Sequence, residues 1–446
     1  MKSIHLLVAL SCGACAASND KTSPAVGSGP VERAAMDEAP ATLERIERIT
    51  AAVPWPRGVR YVDGKLYALA RGVHRSAGGP QDDIEDRAGT IFVIDPEVSE
   101  PVAGNPEVGA AVRGNAEVVA VPTSPPFRVW DRRMPATLDT LTDRPYCMLV
   151  YDDPSKNFFV CGYSGIDLED APKFRKNATD SIHRYDLRNG RWAVVEAHDP
   201  SVVPVDALEK DVDSTYYPHH DVTRNAPPHG LVNGPCGAVV AGEYLYVGAK
   251  DNTALAQYDI AAIRRDPSAP PPDGRFVFEG TQGDAWVEVE GRGRTRLNGT
   301  CALAVHDGYL YVAFRTTSQI LRFPLEEDGD VVRPLVAQAI AQFPEHDPQR
   351  GGGSANIYDM AFDAQGRLYV SPGYDGAIYR FTPDPDRPYD AENVEYAPYV
   401  DLDELVGANK SGNICFDDEG NLYVCCGQKV LSEGKVRGVI YRVRPS

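Results

Sequence analysis

Short apolar stretches joined by tight turns recur along most of the chain. In ALAVHDGYLYVAF, residues 302–314, two apolar runs flank Asp307 and Gly308. Asp-Gly between two such runs is the strongest short signal for a β-hairpin. The predicted hairpins are RGVRYVDGKLYALA (57–70), CMLVYDDPSKNFFVCG (147–162), CGAVVAGEYLYVGA (236–249), CALAVHDGYLYVAF (301–314), DMAFDAQGRLYVSP (359–372) and NICFDDEGNLYVCC (413–426). A third apolar run follows each hairpin, and weaker fourth runs include RWAVVEA and RFVFEG.

Six four-stranded units of this kind predict an all-β protein, a six-bladed β-propeller. The last unit ends after its third strand. The segment LERIERITAAV (43–53) is expected to supply the missing outer strand, which closes the ring and removes exposed strand edges. The predicted organisation is a signal peptide at 1–15, a flexible tether at 16–42 and one propeller domain at 43–446.

The first residues have the composition of an export signal. One Lys, a short apolar core from Ile4 to Leu10 and several small residues form a segment too short to span a bilayer. Cys12 in VALSC resembles the lipidated cysteine of a bacterial lipobox. We therefore expect export to the periplasm or cell envelope, and both lipidation at Cys12 and simple signal cleavage fit the sequence.

Net charge limits the class of partner. The formal charge of −19 argues against nucleic acid or an anionic membrane surface as the main partner. The expected partner is a small anionic molecule or an envelope protein, with membrane contact only through a lipid on Cys12. The protein is expected to be a monomer.

The repeated FDAQGRLYV and FDDEGNLYV resemble blades of NHL-repeat propellers and of the gluconolactonase/senescence-marker-protein family. The resemblance covers most of the chain beyond residue 43 and implies a propeller. Blades of that kind typically open with Gly, where this sequence has Arg57, Cys147, Cys236, Cys301, Asp359 and Asn413. Gluconolactonase-type enzymes bind a divalent cation through Asn and Asp one residue earlier, where this sequence has Pro56, Tyr146, Pro235, Thr300, Tyr358 and Gly412. The resemblance therefore implies the fold without that metal site.

Basic and amide side chains are expected around one end of the central channel. In a propeller, the first strand of each blade begins and the second strand ends at the same face, here called the mouth. The candidate ligand-binding residues are Arg57, Arg71, Arg144, Asn233, Lys250, Asn298, Arg315, Asn356, Asp359, Lys410 and Asn413. A concave site of mainly one sign attracts the opposite charge, which predicts a carboxylate, sulfate, phosphate or quinone-acid ligand. Alternatively, these side chains pair with carboxylates of neighbouring loops or cap turns.

Three cysteines, Cys147, Cys236 and Cys301, occupy one position in three consecutive hairpins. Three thiolates facing one channel can hold a soft metal such as Zn²⁺ or Cu(I). Two of them can instead form a disulfide, or all three can fill narrow inner strands as small apolar side chains. The sequence identifies no cofactor beyond this candidate divalent or soft metal.

Histidines are the candidates for proton transfer. His219, His220 and His229 lie in the segment that leads to the third hairpin, and His74 follows the first. Histidine suits acid–base chemistry near neutral pH, although exposed loop histidines are an equally simple explanation.

Three functions are compatible with these patterns. The first is an exported hydrolase- or lyase-type enzyme that acts on a small anionic or lactone/sugar-acid-like ligand at the cationic mouth. The second is a non-catalytic envelope lipoprotein that binds a ligand or protein there. A quinone-dependent sugar dehydrogenase is the third. The architecture alone does not choose among them.

Overall fold

The structure is a computed structural model of the 446-residue chain. The chain divides into Met1–Glu38 and a compact unit, Ala39–Ser446. Met1–Glu38 lies outside the described residues. The described residues are 40–70, 89–104, 108–120, 146–162, 181–197, 231–232, 234–250, 253–280, 284–343, 357–373, 376–383, 398–408, 411–430 and 435–445.

Six sheets form the blades, and within each blade neighbouring strands run antiparallel. The strands are numbered in chain order, and those of each blade are given from the innermost outward. Blade one contains β2 (Pro56–Val62), β3 (Lys65–Ala70), β4 (Ile91–Ile94) and β6 (Ala116–Ala120). Blade two contains β7 (Tyr146–Asp152), β8 (Asn157–Gly162), β9 (Ser181–Asp186) and β10 (Arg191–Ala197). Blade three contains β11 (Pro235–Ala241), β12 (Tyr244–Ala249), β13 (Ala254–Asp259) and β14 (Gly274–Phe278).

The other three blades follow the same order. Blade four contains β17 (Thr300–His306), β18 (Tyr309–Phe314), β19 (Gln319–Pro324) and β20 (Val336–Gln342). Blade five contains β21 (Ile357–Phe362), β22 (Leu368–Pro372), β23 (Ala377–Phe381) and β24 (Pro398–Asp401). Blade six contains β25 (Ser411–Phe416), β26 (Leu422–Val430), β27 (Lys435–Val443) and β1 (Ile46–Thr50), with the short β5 (Glu100–Pro101) beyond β1.

The blades close into a ring. Each innermost strand packs against that of the next blade, in the order β2, β7, β11, β17, β21, β25 and back to β2. The N-terminal strand β1 pairs antiparallel with β27, for example Ile46 with Val443. The six-bladed β-propeller and its closure by an N-terminal strand, both predicted from the sequence, are therefore confirmed.

Tight turns account for the hairpins. Val62 pairs with Lys65 across Asp63 and Gly64, whose φ angles are 49° and 78°. Positive φ at both central positions is the type I′ turn, whose twist matches that of paired strands. Because Gly adopts this conformation without steric cost, the Asp-Gly pairs fix the hairpin register.

Apolar side chains alternate between the two faces of each blade and fill the gaps between blades. On β18, Leu310, Val312 and Phe314 pack toward blade three, whereas Tyr311 and Ala313 pack toward blade five. Among the described residues, six such apolar clusters occur, one at each junction between neighbouring blades. Since each buried Leu, Val or Phe contributes about 1.5–3 kcal/mol, blade-to-blade packing dominates the stability.

One hairpin departs from the four-stranded pattern. The strands β15 (Asp284–Val289) and β16 (Gly293–Asn298) extend the sheet of blade four, and β15 runs parallel to the start of β20. Ala285, Val287 and Val289 alternate inward into the cluster between blades three and four. The sequence analysis did not predict this hairpin.

Helices are few and short. The described helical segments are a 3₁₀ turn at Leu43–Arg45 and the α-helices α1 (Ala110–Arg113), α2 (Ala261–Arg265) and α3 (Leu402–Val406). In the described part of the chain, none has the length and apolar composition needed to cross a bilayer.

Candidate functional site

A β-bulge lies near the start of every inner strand. The pairing register shifts between Pro56 and Gly58 in β2, and equivalent shifts occur in the other five inner strands. A bulge sets two residues against one on the partner strand and re-aims a side chain. The bulges therefore set the direction of the side chains at the mouth.

The pairings around the bulges also show that the six hairpins, aligned without gaps, do not place equivalent residues at the same position. In blade one, Arg57 is the extra residue and Gly58 pairs with Leu69. In blade five, Tyr358 is the extra residue, and Asp359 itself pairs with Ser371. Asp359 thus corresponds to Gly58, and Asn413 is displaced by one position in the same way.

Turn length is the physical cause of this displacement. Phe362 pairs with Leu368 across five residues, whereas the equivalent pair of blade one, Tyr61 and Leu66, is separated by four. Asp363 stabilises the longer turn by accepting hydrogen bonds from the backbone N–H groups of Gln365 and Arg367, at 3.0 and 2.9 Å. An alignment of the hairpins without gaps therefore displaces the first strand of blade five by one position relative to that of blade one.

Arg57 is the central residue of what we call the arginine side of the mouth, which also comprises Tyr358, Asp359 and Asn413. Its guanidinium carbon lies 4.8 Å from the Tyr358 ring centre and 5.7 Å from that of Trp55. Arg57 is only 5% exposed, and its Nη1 has no hydrogen-bond partner among the described residues. Burying a guanidinium with an unused donor costs free energy, which is why such groups mark candidate ligand sites.

The backbone beside Arg57 is unusual. Trp55 has a φ of 44°, a left-handed conformation that bulky residues rarely adopt. This conformation lies directly before β2 and holds the indole against Arg57. Local strain of this kind is commonest at functional sites.

Below Arg57, polar side chains meet across the ring axis. Asn413 Nδ2 of blade six donates to Met148 Sδ of blade two at 3.3 Å. Arg60 Nη2 of blade one donates to the same sulfur at 3.7 Å, and its Nη1 donates to the Val59 carbonyl at 2.7 Å. Because blades six and two are not neighbours, these contacts bridge the centre of the ring.

Asp359 is the buried acid of this cluster and is 1% exposed. Its Oδ2 accepts a hydrogen bond from the Ile414 N–H at 2.9 Å and lies 3.9 Å from Arg60 Nη1. Its Oδ1, like Oδ1 of the 2% exposed Asn413, has no partner among the described residues. Burial raises the pKa of Asp359, and the opposing effects of Arg60, the Ile414 N–H and Asn413 do not cancel it.

The opposite, or cysteine, side of the mouth comprises Cys236, Gly237, Cys301 and Ala302 of blades three and four. Both thiols are buried. A hydrogen bond with Cys236, together with burial, raises the pKa of Cys301 well above its usual value, although Arg315 and Lys250 lower it. Cys301 is therefore a neutral thiol at neutral pH.

The remaining described candidates lie at the rim of the cysteine side. The backbone N–H groups of Lys250 and Arg315 donate to the carbonyls of Gly234 and Gly299, at 3.0 and 2.6 Å. These bonds hold both residues next to the starts of β11 and β17, where the sequence predicted them. Asn298 ends β16, and its Nδ2 donates to Asp284 Oδ1 at 2.9 Å.

The proposed three-cysteine metal site stays a prediction. The Cys147 side chain lies outside the described residues, although its backbone belongs to β7. Within the side chains that the structure describes, no group of three or more His, Cys, Asp or Glu has a metal-binding arrangement.

The other predicted residues also lie outside the described part of the chain. They are the ligand-binding candidates Arg71, Arg144, Asn233, Asn356 and Lys410, and the catalytic candidates His74, His219, His220 and His229. Conversely, sequence reasoning missed Arg60, Met148 and the ring of Tyr358 as parts of the site. A charged residue inside the apolar run GVRYV was the available signal for Arg60.

Comparison with known proteins assigns no family to this chain. No protein-family model and no curated protein matches the sequence. One similar solved structure is a gluconolactonase from Xanthomonas campestris, with 12% identity over 91% of this chain and 96% of the other, and a TM-score of 0.40. Virginiamycin B lyase from Staphylococcus aureus has 11% identity over 89% of this chain and 98% of the other, and a TM-score of 0.39. A luciferin-regenerating enzyme has 10% identity over 90% of this chain and 95% of the other, and a TM-score of 0.42. Identities and TM-scores this low give no basis for transferring an activity.

Proposed function

We propose that this protein is an exported enzyme of the hydrolase or lyase type that acts on a small anionic or lactone/sugar-acid-like ligand at the mouth. The observation that supports this most strongly is the buried Arg57 guanidinium, which stacks on Tyr358 and whose Nη1 has no acceptor among the described residues. A carboxylate or a developing oxyanion is the natural partner for that donor.

The rest of the arginine side supports a small polar ligand. Asn413 and Asp359 each have one oxygen without a partner among the described residues. A hydroxyl or ring oxygen of the ligand can use these groups while its anionic group pairs with Arg57. The predicted histidines His74, His219, His220 and His229 are the candidates for moving the proton.

Binding is tested by calorimetry with D-gluconate, using glucose as the neutral counterpart. We expect gluconate but not glucose to bind, and Arg57→Met to weaken gluconate binding by roughly a hundredfold, the usual loss for a buried charged hydrogen bond. Arg275→Met is the matched control, because Arg275 lies on β14, the outer strand of blade three, where it is exposed and pairs with Asp330. Equal affinity of wild type and Arg57→Met, or no gluconate binding at about 10 mM, would refute the anion site.

Turnover is tested separately with glucono-1,5-lactone in weak buffer, by following proton release. Alanine at His219, His220 and His229 is expected to abolish turnover while leaving gluconate affinity intact. Gluconate binding without any turnover of lactones or esters would favour the non-catalytic binding protein instead.

A further inference from the structure

We propose that Asp359 holds its proton at neutral pH and donates a hydrogen bond from Oδ1 to the anionic group bound by Arg57. This inference rests on the proposed function for the identity of the ligand. It assigns Asp359 the role of a neutral donor rather than that of a base, and the proton stays on the carboxyl group throughout binding.

The Asp359 carboxyl group is incompletely hydrogen-bonded within the described part of the chain. A buried carboxylate needs several donors. Oδ2 accepts the Ile414 N–H, and Asn413 and the Met360 N–H also favour the charged form, yet Oδ1 has no hydrogen-bond partner among the described residues. Arg60 is the nearest cation, but its Nη1 hydrogens point to the carbonyls of Val59 and Ile414 at 2.7 and 3.4 Å, while Oδ2 lies 3.9 Å away. The ion pair is therefore loose, and burial outweighs the groups that favour the charged form.

Strands packed against Asp359 present one cation, two thiols and small apolar side chains. Arg60 on β2 is the cation that acts on it, and the thiols of Cys415 on β25 and Cys425 on β26 lie close enough to interact with it. Neighbouring β17 presents Ala302 and Ala304, with His306 stacked on Phe362 at the far end of β21. Burial raises the pKa of Cys415 to about 12, so this thiol is neutral too.

Asp359 and Asn413 are each the direct neighbour in sequence of a residue that contacts Arg57. Asp359 directly follows Tyr358, the ring on which the guanidinium stacks. Gly412, which directly precedes Asn413, packs against the Arg57 side chain. A single anionic group at this junction can accept from both Arg57 and a protonated Asp359. A carboxylic acid kept neutral by an apolar site is an established kind of donor in enzymes.

A direct measurement of the protonation state needs no ligand. Carbon NMR of protein labelled at the aspartate carboxyl carbon should show one resonance, absent from Asp359→Asn, that titrates above the range of the other aspartates. An Asp359 resonance that is ionised throughout the neutral range would overturn the proposal, whatever the ligand is.

Binding of D-gluconate as a function of pH tests the donor role. We expect wild-type affinity to fall about tenfold per pH unit above the pKa of Asp359, since only the protonated form donates. Asp359→Asn keeps an amide donor, so it should bind without that pH dependence, whereas Asp359→Ala should bind more weakly at every pH. The control Asp363→Asn changes a carboxylate that caps the blade-five turn and should keep the wild-type pH profile.

The outcomes separate the two proposals. The donor role is refuted if the gluconate affinity of wild type does not depend on pH. It is also refuted if Asp359→Asn loses gluconate binding while wild type keeps it. Both results leave the anion site intact. A protonated Asp359 in the NMR titration combined with no gluconate binding refutes the proposed function and, with it, the donor role at that site.

Discussion

The two sides of the mouth use the same backbone feature for different purposes. Each inner strand begins with a bulge, yet the arginine side places a buried guanidinium, a buried carboxyl and an amide there, and the cysteine side places thiols, glycine and alanine. On the arginine side, three of these groups have polar atoms without a partner among the described residues. The fold therefore does not dictate polarity at the bulge.

Packing differs between two glycines at the starts of the inner strands. On the cysteine side, a methyl group placed on Gly237 would lie 1.4 Å from the Cys301 carbonyl oxygen. On the arginine side, a methyl group on Gly412 would meet its nearest neighbour, the Cys425 carbonyl oxygen, at 3.3 Å. Blades three and four are therefore in backbone contact at Gly237, whereas there is space beside Gly412. Gly58, next to Arg57, is also close-packed, since a methyl group there would lie 2.5 Å from Leu149 Cβ.

The sharpest test of this comparison is a pair of glycine substitutions. Gly237→Ala forces blades three and four apart, so we expect it to lower the free energy of unfolding by about 3 kcal/mol or more. Gly412→Ala should cost about 1 kcal/mol or less, because its contacts are only slightly tight. Equilibrium denaturant unfolding of both variants measures the difference, and equal stability of the two would contradict the packing argument.

Arg57 offers a second test, in which stability and binding move in opposite directions. Replacing a buried, incompletely paired charge with an apolar side chain of similar length is often stabilising, so Arg57→Met should raise the free energy of unfolding by about 1–2 kcal/mol. The same variant should lose gluconate affinity. A destabilised Arg57→Met would mean that the guanidinium serves the fold rather than a ligand.

These residues also show what sequence can and cannot predict. The hairpins were predictable because Asp63-Gly64 and Asp307-Gly308 are local turn signals with a fixed geometry. The β15–β16 hairpin had a similar local signal, the alternation of Ala285, Val287 and Val289 with polar residues, but no place in a four-stranded repeat. A repeat model leaves out elements that occur once.

The contacts that build the candidate site are not local. Asn413 and Met148 meet across the axis although they are 265 positions apart, and Arg60 reaches Met148 across 88 positions. The start of each inner strand was predictable from the repeat, so Arg57, Asp359 and Asn413 were predicted to lie at the mouth. Their relative register was not, because it depends on turn lengths in blades five and six.

The pH dependence of stability tests the arginine side without a ligand. Because the pKa of Asp359 is raised in the folded protein, the folded state keeps this proton over a pH range in which the unfolded chain has lost it. Stability therefore falls as pH rises from the ordinary aspartate value to the raised one, by at most about 1.4 kcal/mol per pH unit for one proton. The stability of Asp359→Asn relative to wild type should rise over that window and then level off, as measured by denaturant unfolding at several pH values. A constant difference would show that the carboxyl ionises normally.

The smallest expected effect is on the cysteine side, where Cys301→Ala replaces a buried neutral thiol with a methyl group. If the cysteines fill the narrow inner strands, this change should cost about 1 kcal/mol and leave gluconate affinity unchanged, since the thiol behaves as a small apolar group. Denaturant unfolding and calorimetry measure the two quantities.

Metal analysis of the purified protein is the discriminating control, because the alternative is a soft metal held by Cys147, Cys236 and Cys301. A stoichiometric metal that is lost in Cys301→Ala, with a stability loss well above that of a missing thiol, would make the cysteine side a metal site and end the contrast between the two sides.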